Sequence, residues 1–348
     1  MKAVSILGVG CVTSLGREWN TVWNKIRAGE KPERETVQAP GCREPVEVYK
    51  TALPDIPSAA SARLRRSGSI SYFACAAAAD AVQEAGPLPA ARTALVFATS
   101  DGSVSYTRRF YEEVVERGAG SPLLFPETVY NAPASHVAAM LGLDGVVLTL
   151  VNDATAGMDA LATASEIIGS GEADRCLVVA AEELDWITCE GYRRWRMTVS
   201  SAGPAHGAVL AEGAVALVLG PPSSAHVQIS RVHPGRTLRR HAPAAQTVRH
   251  LLGELADGAT PGLAVLSASG ARLGIFEESL VRECFPAVRL LSPKRFAGEA
   301  FAASSLLLCL CAREALKQPG TAIIPVLGWG GQLGGAFLTS GAGRSPLG

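Results

Sequence analysis

Short apolar runs alternate along the chain with longer stretches of helical periodicity. The runs at 4–8, 94–99, 146–151, 176–180 and 214–219 are rich in Val, Leu, Ile and Ala and predict strands. The stretches at 19–28, 70–85, 103–116, 134–141 and 158–170 carry apolar residues at helical spacing. Regular alternation of the two predicts an α/β protein built in layers. Several strand runs are apolar at every position, the pattern of a sheet covered on both faces. Gly8, Gly10 and Gly16 predict that the first strand soon breaks into a glycine loop.

The pattern then restarts. Pro221-Pro222-Ser223-Ser224 reads as a linker, and a strand at 227–232 follows it as the strand at 4–8 opened the chain. A second strand at 263–267, a long helix at 301–316 and closing strands at 322–327 and 335–339 complete this half. The first half closes comparably, on 207–210 and 213–219. Two similar halves, 1–222 and 223–348, are therefore expected. A helix layer buried between two sheets would explain why residues 154–165 and 300–312 are so small.

Composition narrows the class. The chain has 348 residues, 48% of them apolar, enough for a substantial core. Its 32 basic and 32 acidic residues cancel, which argues against nucleic acid or a membrane surface as the main partner. The eight cysteines are scattered with no CxxC pair, so reduced core thiols are expected, Cys309 and Cys311 included. No signal peptide or membrane span is read, and a cytoplasmic protein without metal or cofactor is expected.

One segment carries the candidate chemistry. The strand predicted at 147–151 is expected to be buried. It runs into Asn152-Asp153-Ala154-Thr155-Ala156-Gly157, and a helix with Met158, Leu161, Ile167 and Ile168 follows. A strand turning sharply into a helix presents one side chain at the helix N-terminus, where the dipole and free N–H groups stabilise a thiolate or an oxyanion. Ala154 holds that place and cannot act as a nucleophile. Asp153 beside it reads as an N-cap or first-turn carboxylate.

Taken in order, several segments resemble the β-ketoacyl-acyl-carrier-protein synthases of the thiolase fold. They are the opening 6–30, with Thr13, Leu15-Gly16, Trp23 and Ala28-Gly29; Arg65-Arg66; Phe125-Pro126 with Asn131; Ala156-Gly157 with Asp159-Ala160-Leu161; Gly171-Glu172-Ala173-Asp174; Ala211-Glu212-Gly213-Ala214; and Leu327-Gly328-Trp329-Gly330-Gly331. The resemblance implies a five-layer αβαβα fold made of two pseudo-repeated halves, with Glu212 structural in its hairpin. It also implies three catalytic residues, and this chain departs at each. Ala154 stands for the cysteine, Ser269 for the first histidine and Glu299 for the second, while the motif lysine survives as Lys294. Leu308 stands where the family has a glutamate, and the last histidine is His250, ahead of both histidine motifs. The family's oxyanion loop maps to Gly328, Trp329, Gly330 and Gly331, with main-chain donors at Ala154 and Trp329.

Losing the covalent nucleophile removes acyl transfer. Losing one oxyanion donor typically costs about 10²–10³ in rate. The resemblance is therefore to the degenerate subunits called chain-length factors, which pair with an active ketosynthase in polyketide, aryl-polyene or fatty-acid-like chain building. It implies that synthase, or a second copy of the chain, as partner, together with an acyl carrier protein. The alternatives are a residual acyltransferase or malonyl decarboxylase using Ser269, Lys294 and Glu299, and a homodimeric acyl-chain binder. Lys294 and Glu299 form a buried ion pair, or Glu299 turns to water. Trp329 blocks the pocket, or fills core. Tyr192–Arg196 and the basic run 236–241 dock an acidic partner, or are solvated loops. Cys189 reads as an inert core thiol.

Overall fold

The computed structural model describes residues 2–56, 62–199, 207–238, 244–316 and 319–341. The first half runs β1 (Val4–Val12), α1 (Trp19–Ala28), β2 (Glu35–Val37), β3 (Val46–Tyr49), α2 (Ser69–Ala85), β4 (Thr93–Thr99), α3 (Val104–Arg117) and α4 (Ala132–Leu141). It continues through β5 (Val147–Val151), α5 (Ala156–Ser170), β6 (Arg175–Glu182), α6 (Trp186–Arg194), β7 (Leu210–Ala211) and β8 (Gly213–Gly220). The second runs β9 (Gln228–Thr237), α7 (Ala244–Ala256), β10 (Leu263–Val265), α8 (Ala271–Cys284), β11 (Arg289–Leu291), α9 (Lys294–Ala297), α10 (Phe301–Ala315), β12 (Gly320–Leu327) and β13 (Gln332–Ser340).

The strands show the duplication directly. Along the main sheet the order is β11-β10-β12-β13-β9-β1-β8-β6-β4-β5. Read outward from the β1–β9 contact, each half places its strands in the same order. Each pairs them with the same sense: β4 is parallel to β5 and β6, as β10 is to β11 and β12. β8 is antiparallel to β6 and β1, as β13 is to β12 and β9. The two five-stranded halves join through a short antiparallel contact, Val4 against Ile229 and Ser5 against Gln228. This is the thiolase-like fold.

Alternation along the strands sorts the layers. In the first half Ala94, Val96, Ala98, Val178 and Leu217 face one core, which α5 and α10 share with Val265, Ile324, Val326 and Leu338 of the second half. Their neighbours Leu95, Phe97, Val179 and Ala216 face α2 and α4 on the other side. Ala264, Ile323 and Phe337 likewise face α7 and α8. The order is helix, sheet, helix, sheet, helix. The central crossing is tight: a Cβ at Gly157 of α5 would lie 2.1 Å from Ser305 Oγ of α10, so only glycine fits there.

Two expectations need correction. β1 does not break at its glycines but runs to Val12. A Cβ at Gly8 would lie 2.3 Å from Ala81 O, and one at Gly10 2.1 Å from Ala77 O. Those glycines let the alanine-rich α2 lie directly on the strand. β5 is not buried. It is the edge strand of the first half, and Val147, Leu148 and Val151 are exposed. Its largely apolar sequence, with Thr149 at the centre, lies on an open sheet edge rather than inside the sheet.

Gly10→Ala should destabilise the fold by about 3 kcal/mol or more, because backbone cannot yield as a flexible side chain does. Gly253→Ala, inside α7 with open space around its Cα, should stabilise it by about 0.5–1 kcal/mol. Chemical denaturation of the two variants checks both signs.

Candidate functional site

The turn between β5 and α5 is built by short polar side chains. The Asn152 N–H donates to Thr99 O at 3.2 Å, ending the β4–β5 ladder. Asp153 Oδ1 accepts the Thr155 N–H at 3.0 Å, the first-turn role expected of it. Its Oδ2 accepts the Gly330 N–H at 3.1 Å, tying the turn to the β12–β13 loop. A Cβ at Gly328 would lie 2.0 Å from that same oxygen, so the carboxylate occupies the space that a side chain there would need. Thr155 Oγ1 lies 2.8 Å from Gln332 Oε1. Asp159, on the first turn of α5, accepts from Asn152 Nδ2 at 2.7 Å and from the Gly235 N–H at 2.6 Å. Burial raises its carboxyl pKa against those two donors. Ala154 lies between these contacts and is wholly buried.

The other predicted residues converge on a second cluster. Lys294 Nζ donates to Glu299 Oε1 at 3.0 Å and Oε2 at 2.8 Å, and both side chains are 1% exposed. Of the two arrangements open for Glu299, the buried ion pair is the one found. The Ser269 hydroxyl donates to Glu299 Oε2, and the Phe301 N–H donates to Oε1 at 3.0 Å. Leu308 is buried in α10. Glu299 is thus the carboxylate partner of Lys294.

Trp329 bridges the two clusters. Its ring lies 5.3 Å from Phe301 and 5.4 Å from Tyr192, edge-on to both, and Tyr192 stacks on Phe301 at 4.8 Å. Phe301 holds φ +38° at the start of α10, a strained value for a bulky residue. Ser269, Trp329, Gly328 and Gly331 all line one pocket of about 360 Å³, whose rim carries Arg196 and Arg272. Ala154, Asp153, Lys294, Glu299 and Gly330 do not line it, and of the aromatic trio only Trp329 does.

Sequence reading missed the acids around Tyr192. Burial raises the pKa of the Tyr192 hydroxyl, and Asp101, Glu182, Glu299 and Asp153 raise it further. Tyr192 is thus a packed member of the site rather than part of a solvated loop. Glu182 accepts the Ser100 N–H at 2.6 Å and the Asp101 N–H at 3.2 Å, and its neighbour Glu183 accepts those of Ile70 and Ser105 at 3.2 and 2.9 Å. Burial, then the facing Asp101, raises the Glu182 carboxyl, and burial raises Asp101. Glu277 similarly accepts the Ser267 and Ala268 amides at 2.9 and 2.7 Å. The available signal was two consecutive acids directly after the apolar strand β6.

The remaining residues have structural surroundings. Glu212 accepts from Lys50 Nζ and the Leu184 N–H, both at 2.8 Å. Burial pushes the Cys189 thiol up to about 12, where it is unreactive. Arg193 and Arg194 each bond Glu190 at 2.7 Å, while Trp195 next to them is exposed. Arg236 lies 3.6 Å from Glu254, and residues 239–241 of that basic run lie outside the described residues. Among the described residues no cluster of three or more His, Cys, Asp or Glu is placed to hold a metal, and no helix is long and apolar enough to cross a membrane.

Comparison with known proteins agrees with this fold. The family model for the β-ketoacyl synthase N-terminal domain matches residues 1–225. No curated protein sequence matches. Among solved structures, the ishigamide ketosynthase/chain length factor is 20% identical with TM-score 0.79, covering 98% of this chain and 100% of that one. A β-ketoacyl synthase from Burkholderia phymatum is 20% identical with TM-score 0.80, covering 98% and 100%. The complex of a ketosynthase with its chain length factor from Xenorhabdus doucetiae matches at 16% identity and TM-score 0.79, covering 97% of this chain and 98% of that one. At these identities the likeness establishes the fold.

Lys294→Met should cost about 3–5 kcal/mol, because it strands the buried Glu299 carboxylate. Pairing it with Glu299→Leu should recover much of that loss in thermal melts. Glu182 behaves as an acid whose folded pKa is raised. Folding then favours its protonated form, and the stability it contributes is lost as pH rises through the folded pKa. Glu182→Gln should flatten the fall in melting temperature as pH rises from the ordinary carboxylate range to about 8, and one pKa unit is worth about 1.4 kcal/mol.

Proposed function

The chain belongs to the β-ketoacyl synthase family, and we propose that it serves there as a catalytically degenerate subunit of chain-length-factor type. Its partner is an active ketosynthase that elongates a polyketide, aryl-polyene or fatty-acid-like chain on an acyl carrier protein. The observation that carries this reading is the open face around β5. The strand has one neighbour, β4, and exposes Val147, Leu148 and Val151. α3, fourteen residues long, buries none of them and leaves Tyr111 61% and Val115 84% exposed. Leu123, Phe125, Val129 and Tyr130 are exposed on the segment that packs between α3 and α4. An apolar strand edge and an apolar helix stripe left bare in one region mark a protein interface. A pairing strand from the synthase would satisfy the β5 edge.

The site supports the loss of chemistry. Ala154 offers no nucleophile, and Asp153 and Glu299 bring negative charge to the place where an enolate would develop. The packed trio of Tyr192, Phe301 and Trp329 also counts against the chain as an acyl-chain binder. One observation favours residual acyltransferase or decarboxylase activity: Ser269 lines the pocket with its hydroxyl on a carboxylate. That carboxylate already accepts two bonds from Lys294 and one from Phe301, which leaves it poorly disposed to act as a base. Malonyl carrier protein should therefore yield no acetyl product, and a yield abolished by Ser269→Ala would establish the second reading instead.

Co-expressed with its cognate synthase, the chain should co-purify as a heterodimer and restore chain extension that neither subunit performs alone. Leu148→Arg should abolish the pairing while leaving the subunit's melting temperature within about 1–2 °C. Ala154→Cys should not confer condensation activity. A subunit that stays monomeric beside its synthase in size-exclusion chromatography refutes the proposal.

A further inference from the structure

The two halves end on equivalent edge strands, and the second edge differs from the first. β11 is three residues long and pairs only with β10. The Arg289 N–H donates to Gly262 O, and Leu291 O accepts the Leu266 N–H, so both residues turn their main chain toward β10. By the alternation of a strand, the Leu290 N–H and C=O point outward. A pocket of about 330 Å³, within the usual range for small-molecule sites, lies against this edge. Trp23 and Arg27 of α1, Arg289, Leu290 and Leu291 of β11, and Glu314 of α10 line it.

Its chemistry is amphiphilic. The Trp23 indole, stacked on Trp19 at 6.1 Å, and the leucines supply an apolar wall. Among the described residues neither the Arg27 nor the Arg289 guanidinium has a carboxylate or carbonyl partner. The one lining acid, Glu314, accepts the Trp19 indole N–H at 3.4 Å. Two free guanidiniums and an outward N–H beside an indole select an anion carried on an apolar body.

We propose that this pocket binds a small amphiphilic carboxylate, its head group on Arg27 and Arg289 and its apolar body against Trp23 and Leu291. The site is independent of the β5 face and of the Ala154 region. The probe is 4-phenylbutyrate, titrated calorimetrically into the full chain, with 4-phenylbutanol as the uncharged control. Saturable one-site binding is expected, with affinity at least about tenfold weaker for the alcohol and for the Arg27→Gln/Arg289→Gln double variant, the scale of one lost charge-assisted contact. Both arginines are exposed, so the double variant should melt as the unchanged chain does. Trp23 emission should respond to the carboxylate, and a Trp23→Phe variant should lose that signal. Absence of saturable binding, or a loss smaller than tenfold in either comparison, overturns the proposal.

Discussion

Everything in this protein is organised by two helices buried back to back between two sheets. α5 and α10 approach so closely that Gly157 meets the Ser305 side chain with no room for a methyl group. Helices held this near need small residues where they cross, which fits the alanine, serine and glycine of α5 and the Ala-Ala-Ser-Ser run that opens α10. The duplication makes them structural equivalents, so their N-termini come to the same region. Ala154 lies two residues ahead of α5, and Glu299 two residues ahead of α10. The candidate site is the place where the two helix dipoles converge.

That geometry suits negative charge, and the chain now fills it with carboxylates. Asp153 caps the turn before α5 and takes the Gly330 amide, while Glu299 takes Lys294, Ser269 and the first amide of α10. Each acid satisfies donors that the fold leaves open whatever its chemistry. Further out, Glu182, Glu183 and Glu277 do the same for the amides after β4, the starts of α2 and α3, and the loop after β10. These side chains close hydrogen bonds that the fold leaves open. Tyr192, Phe301 and Trp329 pack against one another beside Glu299.

The outer surface has the opposite character. Where the interior satisfies its polar groups, the β5 edge and the α3 stripe leave apolar groups bare. The second edge, β11, is short and flanked by arginines, a form that resists strand addition and leaves room for a small ligand instead.

The order of strands and helices, the duplication, and the simultaneous absence of cysteine, both histidines and the partner glutamate at Ala154, Ser269, Glu299 and Leu308 were all legible in the sequence. These are matters of local periodicity and ordered residue types, which neighbours along the chain suffice to define. Other features required the tertiary structure. The same apolar run can be a doubly covered strand or an open edge, and β5 became the latter because of its position in the sheet. Gly8 and Gly10 looked like a loop until α2, some seventy residues away, was laid across them. Tyr192 joined the site through contacts with residues more than a hundred positions distant, and so did the acids that follow β6 when they reached the amides of α2. Whether a glycine, a tyrosine or a carboxylate serves packing, chemistry or solvent depends on which distant groups surround it, and that is settled only when the layers close.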